Sequence, residues 1–284
     1  SNVTFGSALG ASTAINLFDV KAAATANVSK DITFQTADAD GTIGLLVNGT
    51  LNIDASANTV SLNASTDGNI DLNGTVGITG DEQVTFTAVD ADGAETIAID
   101  GTFTTALTGT SKEVDLVGVD NATSIKIGQT ANTTLNLGNQ ITTTGDALIG
   151  ASGKTNTINI KATSAFNPDT TAVIDATGDA VTVAGTLNIA LDANSNVIAN
   201  DATITVIESD TTAGTSYATL VGNGGVAFTD TAMIDLQNNT STTTDLLMKV
   251  VYKTDIAGVS GQNETALSNA LTAATAASDN TTFA

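Results

Sequence analysis

Apolar and small polar residues alternate along most of the chain in runs three to five residues long. Examples are Val84-Thr85-Phe86-Thr87, Ile97-Ala98-Ile99, Ser124-Ile125-Lys126-Ile127, Leu135-Asn136-Leu137, Ile158-Asn159-Ile160 and Val181-Thr182-Val183. A period of two turns one face of a strand inward and leaves the other to Thr, Asn and Asp. Clusters of Gly, Asn, Asp and Ser separate the runs. These residues tolerate positive φ or bond their own backbone, so they mark turns. No helical period lies between the runs, and the pattern predicts an all-β protein.

The strand-and-turn units repeat. Gly-Thr-apolar-x-apolar occurs at Gly41-Thr42-Ile43-Gly44-Leu45, Gly49-Thr50-Leu51-Asn52-Ile53, Gly74-Thr75-Val76-Gly77-Ile78 and Gly185-Thr186-Leu187-Asn188-Ile189. A longer repeat sits at an offset of 52 residues. Ile32-Thr33-Phe34, Asp38-Ala39-Asp40-Gly41 and Gly49-Thr50-Leu51 align with Val84-Thr85-Phe86, Asp90-Ala91-Asp92-Gly93 and Gly101-Thr102-Phe103. Such repetition points to a stacked architecture in which each turn covers its neighbour.

The expected fold is a right-handed parallel β-helix over residues 1–255, with a β-sandwich array as the competitor. At roughly 20–25 residues per coil, residues 1–250 would make about ten to twelve turns, a rod on the order of 50 Å long. Aromatic residues are few, 4% of the chain, and Pro168 is the single proline. Nearly every backbone N–H is therefore free to join a ladder.

The last 40 residues change character. Leu246-Leu247-Met248-Lys249-Val250-Val251-Tyr252-Lys253 is the most apolar run, and Gly258 and Gly261 then break the β pattern. Over residues 262–277 Leu267, Leu271 and Ala274 fall at helical spacing, and Ser260 or Asn263 can cap the first turn. A short C-terminal helix is expected there. The apolar face of Leu267 and Leu271 would pack on the last coil, or bind a partner or a barrel lumen. No run of about 18 apolar residues occurs, so no helical membrane span is expected. The start, Ser1-Asn2-Val3-Thr4-Phe5, lacks the positive n-region of a signal peptide. The chain reads as a fragment or a processed protein.

Composition narrows the chemistry. Eight lysines face 30 acidic residues, a formal net charge of −22, and the chain holds no Arg, His, Cys or Trp. Histidine triads, imidazole metal sites, thiol nucleophiles, disulfides and iron–sulfur clusters are excluded. The charge opposes binding to nucleic acid or to an anionic membrane surface. With 41% hydrophobic residues, the acidity does not imply disorder.

The C-terminal stretch resembles the autotransporters of type V secretion. The residues that carry the likeness are the strand Leu246 to Lys253, the Gly-containing bend, and Gly261-Gln262-Asn263-Glu264-Thr265-Ala266-Leu267-Ser268-Asn269-Ala270-Leu271. The Thr/Asn/Gly/Ala-rich body is similar to rickettsial-type surface antigens and adhesins. The resemblance implies a passenger fragment at the bacterial cell surface, outer-membrane-associated or secreted. Residues 190–255 would be its stable folding core, and 256–284 a linker toward a translocator barrel of the same precursor. Val197-Ile198 and Ile204-Thr205-Val206-Ile207 give that core a denser apolar content than the middle of the chain.

Candidate sites are sparse. Asp38 and Asp40, and Asp90 and Asp92, set carboxylates at the alternate spacing of calcium loops. A third ligand before the Gly and the bidentate Glu at position 12 are missing, so an acidic turn competes with calcium. No other cofactor is expected. Paired carboxylates could serve glycoside hydrolysis, but only five glutamates exist, Glu82, Glu95, Glu113, Glu208 and Glu264, and the aspartates sit mostly beside Gly or Asn in turns. Lys126 and Lys161 lie in strand runs and are read as solvated outward residues. Gly6-Ser7-Ala8 and Gly214-Thr215-Ser216 have no partner base. Sequons at Asn2, Asn48 and Asn73 follow from Asn and Thr abundance.

The chain is therefore expected to be a non-enzymatic structural or adhesive rod. Its partners would be a host-cell surface protein or glycan, or further copies of itself, and no nucleic acid. A self-assembling, S-layer-like coat subunit is the alternative. A β-helical polysaccharide-active enzyme is the third reading.

Overall fold

A computed structural model describes residues 2–253 apart from 11–14, 35–42, 65–67, 89–94, 111, 119–121, 197, 212–216, 223 and 232. The chain winds as a parallel β-solenoid with three faces. Face A stacks nine strands: Asn2–Phe5, Thr25–Val28, Thr50–Ala55, Thr75–Gly80, Thr102–Leu107, Thr134–Leu137, Thr155–Ile160, Thr186–Leu191 and Val226–Thr229. Face C runs through Phe18–Val20, Ile43–Val47, Asn69–Leu72, Ile97–Ile99, Thr123–Ile127, Asp146–Ile149 and the second half of Ile174–Val183. Face B runs through Ile32–Phe34, Val60–Ala64, Val84–Ala88, Val114–Val117, Ile141–Thr144, the first half of Ile174–Val183, and Thr203–Thr211. The long strand Ile174–Val183 bends from face B into face C, with Gly178 at φ +99° between the two halves.

The alternation read from the sequence is the alternation of burial. In Thr50–Ala55 the side chains of Leu51, Ile53 and Ala55 are buried, and in Thr186–Leu191 so are those of Leu187, Ile189 and Leu191. Inward residues stack rung on rung. On face A the column is Ala26, Leu51, Val76, Phe103, Leu135 and Ile158. On face C it is Leu45, Ile70, Ile97 and Ile125. On face B, Ile32, Leu62, Phe86 and Leu116 align. Phe86 and Phe103 meet across the interior with ring centroids 6.0 Å apart, a tilted pair that fills the width between two faces. One apolar column per face makes a single core along the axis.

Coils are longer and fewer than the sequence predicts. Between Thr25, Thr50, Thr75, Thr102, Thr134 and Thr157, which lie in register on face A, each coil takes 23 to 32 residues. Seven visits to face C make about six full turns, not ten to twelve. Nine rungs on face A span roughly 40 Å. A coil must build three strands and three corners, which together take more residues than the expected figure of roughly 20–25 in most coils. The 52-residue repeat is two coils on face A, since Thr50 pairs with Thr75 and Thr75 with Thr102. On face B the same repeat slips by two residues: Ile32 stacks over Leu62 and then Phe86, not Val84. An even slip keeps every side chain on its face.

The Gly-Thr motif marks the corner from face C into face A. Gly49, Gly74 and Gly101 lie above one another there. A Cβ on Gly74 would fall 2.1 Å from the carbonyl oxygen of Gly49, and one on Gly101 1.9 Å from that of Gly74. Those carbonyls accept the N–H groups of Thr75 and Thr102, each at 2.9 Å. The next coil's backbone occupies the space a side chain would need. The first copy of the motif, ending in Ile43-Gly44-Leu45, enters face C instead.

The two ends differ. At the C-terminal end Asp245–Tyr252 pairs antiparallel with Thr203–Thr211, and Ile234–Asn238 pairs antiparallel with it in turn. Leu246, Met248, Val250 and Tyr252 point into the core, and the Tyr252 hydroxyl donates to the Ile198 carbonyl at 3.0 Å. Among the described residues the only helix is Tyr217–Gly222, which buries Tyr217 and Leu220 beside this cap. The C-terminal helix expected over 262–277, its Ser260 and Asn263 caps and the Gly bend lie outside the described residues. No described helix is long and apolar enough to cross a membrane.

Candidate functional surface

Chemistry on a solenoid is set by which outward residues share a row, because neighbouring rungs stand about 4.8 Å apart. On face A the row Thr25, Thr50, Thr75, Thr102, Thr134 and Thr157 runs without interruption. Two residues along each strand lies a second row, Asn27, Asn52, Gly77, Thr104, Asn136 and Asn159. Its amides bond along the axis. Asn52 Nδ2 donates to Asn27 Oδ1 at 2.8 Å, and Asn159 Nδ2 to Asn136 Oδ1 at 2.8 Å. Asn136 Nδ2 donates to Thr104 Oγ1 at 3.2 Å. The side-chain ladder thus ties successive coils as the backbone does, and it presents an uncharged polar surface. The sequon residues join such contacts: Asn2 Oδ1 accepts from Asn27 at 2.6 Å, and Asn73 Nδ2 donates to Asn48 Oδ1 at 3.4 Å.

Face B carries the contrasting row. Ser61, Thr85, Asp115, Thr142, Asp175, Glu208 and Asp245 are in register on consecutive strands. Asp175, Glu208 and Asp245 are adjacent carboxylates, and no lysine stands in the row. Neutral donors serve it: Gln83 and Thr85 donate to Asp115, Gln140 to Asp175 at 3.3 Å, and Thr244 to Asp245 at 3.3 Å. Glu113, two residues before Asp115, accepts from Thr142 at 3.3 Å. Burial pushes the Glu113 carboxyl above its ordinary range. Asp115 and Asp175 add to the push, against the Thr142 hydroxyl. Glu208, on the exposed outer side, is raised by the partial desolvation of its carboxyl and then by Asp175 and Asp245.

These raised groups fix the sign of the pH response. A carboxyl raised in the folded state binds its proton more readily there than in the unfolded chain. Its destabilising contribution is present at neutral pH and disappears as pH falls toward the ordinary carboxylate range. Asp230 acts oppositely, held low by the Leu236 N–H and by Lys253, but its loss comes only below its ordinary value of 3.8. Stability should therefore peak near pH 4–5. Melting curves from pH 7 to pH 4 should show the midpoint rising by a few degrees. Glu208→Gln should raise the midpoint at pH 7 and leave it unchanged near pH 4. An equal shift at both pH values contradicts the row.

The calcium candidates Asp38, Asp40, Asp90 and Asp92 lie outside the described residues. Among the described residues no three His, Cys, Asp or Glu side chains gather closely enough to hold a metal ion. Lys126 is half-buried on the outer side of face C, in the row that holds Asp71 two rungs away. Burial and then Asp100 raise the Asp71 carboxyl, while Lys126 lowers it. Lys161 follows the strand Thr155–Ile160, and its N–H donates to the Leu137 carbonyl. Glu82 pairs with Lys112 at 2.7 Å, and Glu95 is buried. Ser216 and Glu264 lie outside the described residues. The acidic row of face B was missed in the sequence because its successive members are 24 to 37 residues apart. The signal was present in Val114-Asp115-Leu116 and Ile174-Asp175-Ala176, where an acid takes the outward position of a strand.

No family model matches this chain, and neither does any curated protein or solved structure.

Proposed function

We propose that the chain is a surface-exposed structural or adhesive rod, a passenger of the autotransporter type. The observation that supports this best is the Thr row of face A, which sets the same small polar side chain on six consecutive rungs. A repeated contact suits a partner that is itself repetitive, such as a glycan or a dense array of surface protein. Each contact is weak and their sum is not, with avidity gains on the order of 100-fold or more. The acidic face B keeps rods of like charge apart.

The test is multivalent binding. Beads coated with the chain should hold host-cell surfaces or immobilised glycans at chain densities where the single chain in solution shows no retention. Replacing Thr75 and Thr102 by lysine should reduce that retention. Coated beads that bind no better than uncoated ones would end the adhesive reading.

A further inference from the structure

The sheet of face B does not end on a bare strand. Among the described residues Ile234–Asn238 is its outermost strand, with Asp245–Tyr252 as its one partner. In an antiparallel pair, alternate residues turn their N–H and C=O toward the partner strand. The Lys253 N–H donates to the Met233 carbonyl at 2.9 Å and the Asn239 N–H to the Leu247 carbonyl at 3.1 Å, so the odd-numbered residues face the ladder. Ile234, Leu236 and Asn238 therefore aim their backbone groups at the outer edge. Met233, 43% exposed, and half-buried Ile234 are the apolar side chains beside it.

A strand edge of this kind is a template for another strand. Here a short strap, Asp230-Thr231, already fills part of it. Asp230 Oδ1 accepts the Leu236 N–H at 2.9 Å, and Thr231 Oγ1 accepts the Ile234 N–H at 2.9 Å. The Thr231 N–H donates in turn to the Ile234 carbonyl at 2.9 Å. The turn that leads into the strand thus takes the groups a neighbouring strand would use. Lys253, just past the end of the partner strand, latches the strap. Its ammonium donates to the Thr231 carbonyl at 2.9 Å and stands 3.3 Å from an Asp230 carboxylate oxygen.

We propose that the strap is an autoinhibitory contact, which keeps this sheet from growing by a strand of a second copy of the chain. The competitor present at the chain's own concentration is the same strand of a neighbouring copy. A two-fold axis sets two such strands antiparallel, the direction Ile234–Asn238 already takes with its partner. The exchange is close to even in hydrogen bonds, since each bond to the strap is replaced by one between strands. The strap wins because it is tethered. Its side chains lie three and six residues from the N–H groups they serve, so they act at an effective concentration of about millimolar or above. Removing the two acceptors removes that advantage, and a partner strand then covers Met233 and Ile234 as well.

Sedimentation velocity on the whole chain, in about 0.15 M salt to screen two acidic molecules from each other, is the test. The double variant Asp230→Ala with Thr231→Ala should dimerise at concentrations where the parent does not. Asp230→Asn with Thr231→Ser keeps both acceptor oxygens and should sediment as the parent does. A labelled peptide of residues 233–239 should bind the double-alanine variant and not the parent. Hydrogen exchange reads the strap itself: the Ile234 and Leu236 amides should be protected in the parent and exchange at least about tenfold faster in the dilute double-alanine variant. Lys253→Ala removes only the latch and should fall between the two, which carries the test should the double variant fail to fold. Three results would overturn the proposal. One is a folded double-alanine variant that associates no more than the parent up to about 100 µM and takes up no peptide. The others are unprotected Ile234 and Leu236 amides in the parent, and an Asn/Ser variant that dimerises as the alanine variant does.

Discussion

Gly74→Ala should destabilise the solenoid by about 3 kcal/mol, and Gly74→Val should leave no cooperative melting transition. The added Cβ would sit 2.1 Å from the Gly49 carbonyl oxygen and 2.8 Å from the Asn48 carbonyl carbon. Neither atom belongs to a flexible side chain. Relieving the overlap moves the Gly49 carbonyl, and with it the bond from the Thr75 N–H that joins two coils. The disturbance passes on, because the Gly74 carbonyl fills the same space beneath Gly101. Gly77→Ala is the control on the same strand. Its Cβ faces outward and meets only Asn52 Oδ1 at 3.6 Å, an ordinary contact. That variant should melt within about 0.5 kcal/mol of the parent. Urea unfolding followed by far-UV circular dichroism separates the two. Equal effects at Gly74 and Gly77 would mean that strand propensity, and not the stacked corner, governs these positions.

The contrast between the two glycines also shows what was legible in the sequence. Gly74 belongs to a recurring Gly-Thr-apolar-x-apolar motif, and the recurrence exposes a corner that every coil must pass. The strands were legible for a similar reason. Ile158-Asn159-Ile160 and Val84-Thr85-Phe86 state their inward and outward sides within three residues, because a strand's period is local. Coil length was not. It depends on how many residues each corner spends between strands, which no local alternation states. The cap was half legible. Leu246 to Tyr252 announces a buried strand, but its antiparallel direction arises from pairing with Thr203–Thr211, some 40 residues earlier. The acidic row of face B was the least legible. Its rungs meet only after the register of six ladders is fixed, and Asp175, Glu208 and Asp245 are each surrounded by unrelated sequence.

The two surfaces divide the labour. Face A ties coil to coil with amide and hydroxyl ladders and offers mainly neutral polar groups outward, Asp54 being an exposed acid among them, while face B collects negative charge on its last rungs. The accumulation of like charge is tolerated because the carboxyls stand at the outer surface, with Glu208 exposed, where water screens them. It sits where the parallel body meets the antiparallel cap, since Glu208 lies opposite Asp245. Acidification or added salt should tighten that junction first.

The register of face A places Thr50, Thr75 and Thr102 on three consecutive rungs, and cysteines at these positions test it directly. Neighbouring rungs bring Cα atoms to about 5 Å, within disulfide reach, and alternate rungs stand nearly 10 Å apart, beyond it. All three threonines point outward, and the chain has no cysteine to compete. Under mild oxidation Thr50→Cys/Thr75→Cys and Thr75→Cys/Thr102→Cys should close intramolecular disulfides nearly completely, while Thr50→Cys/Thr102→Cys should stay reduced. A disulfide between positions 50 and 102, with none between 50 and 75, would contradict a chain that coils about one axis.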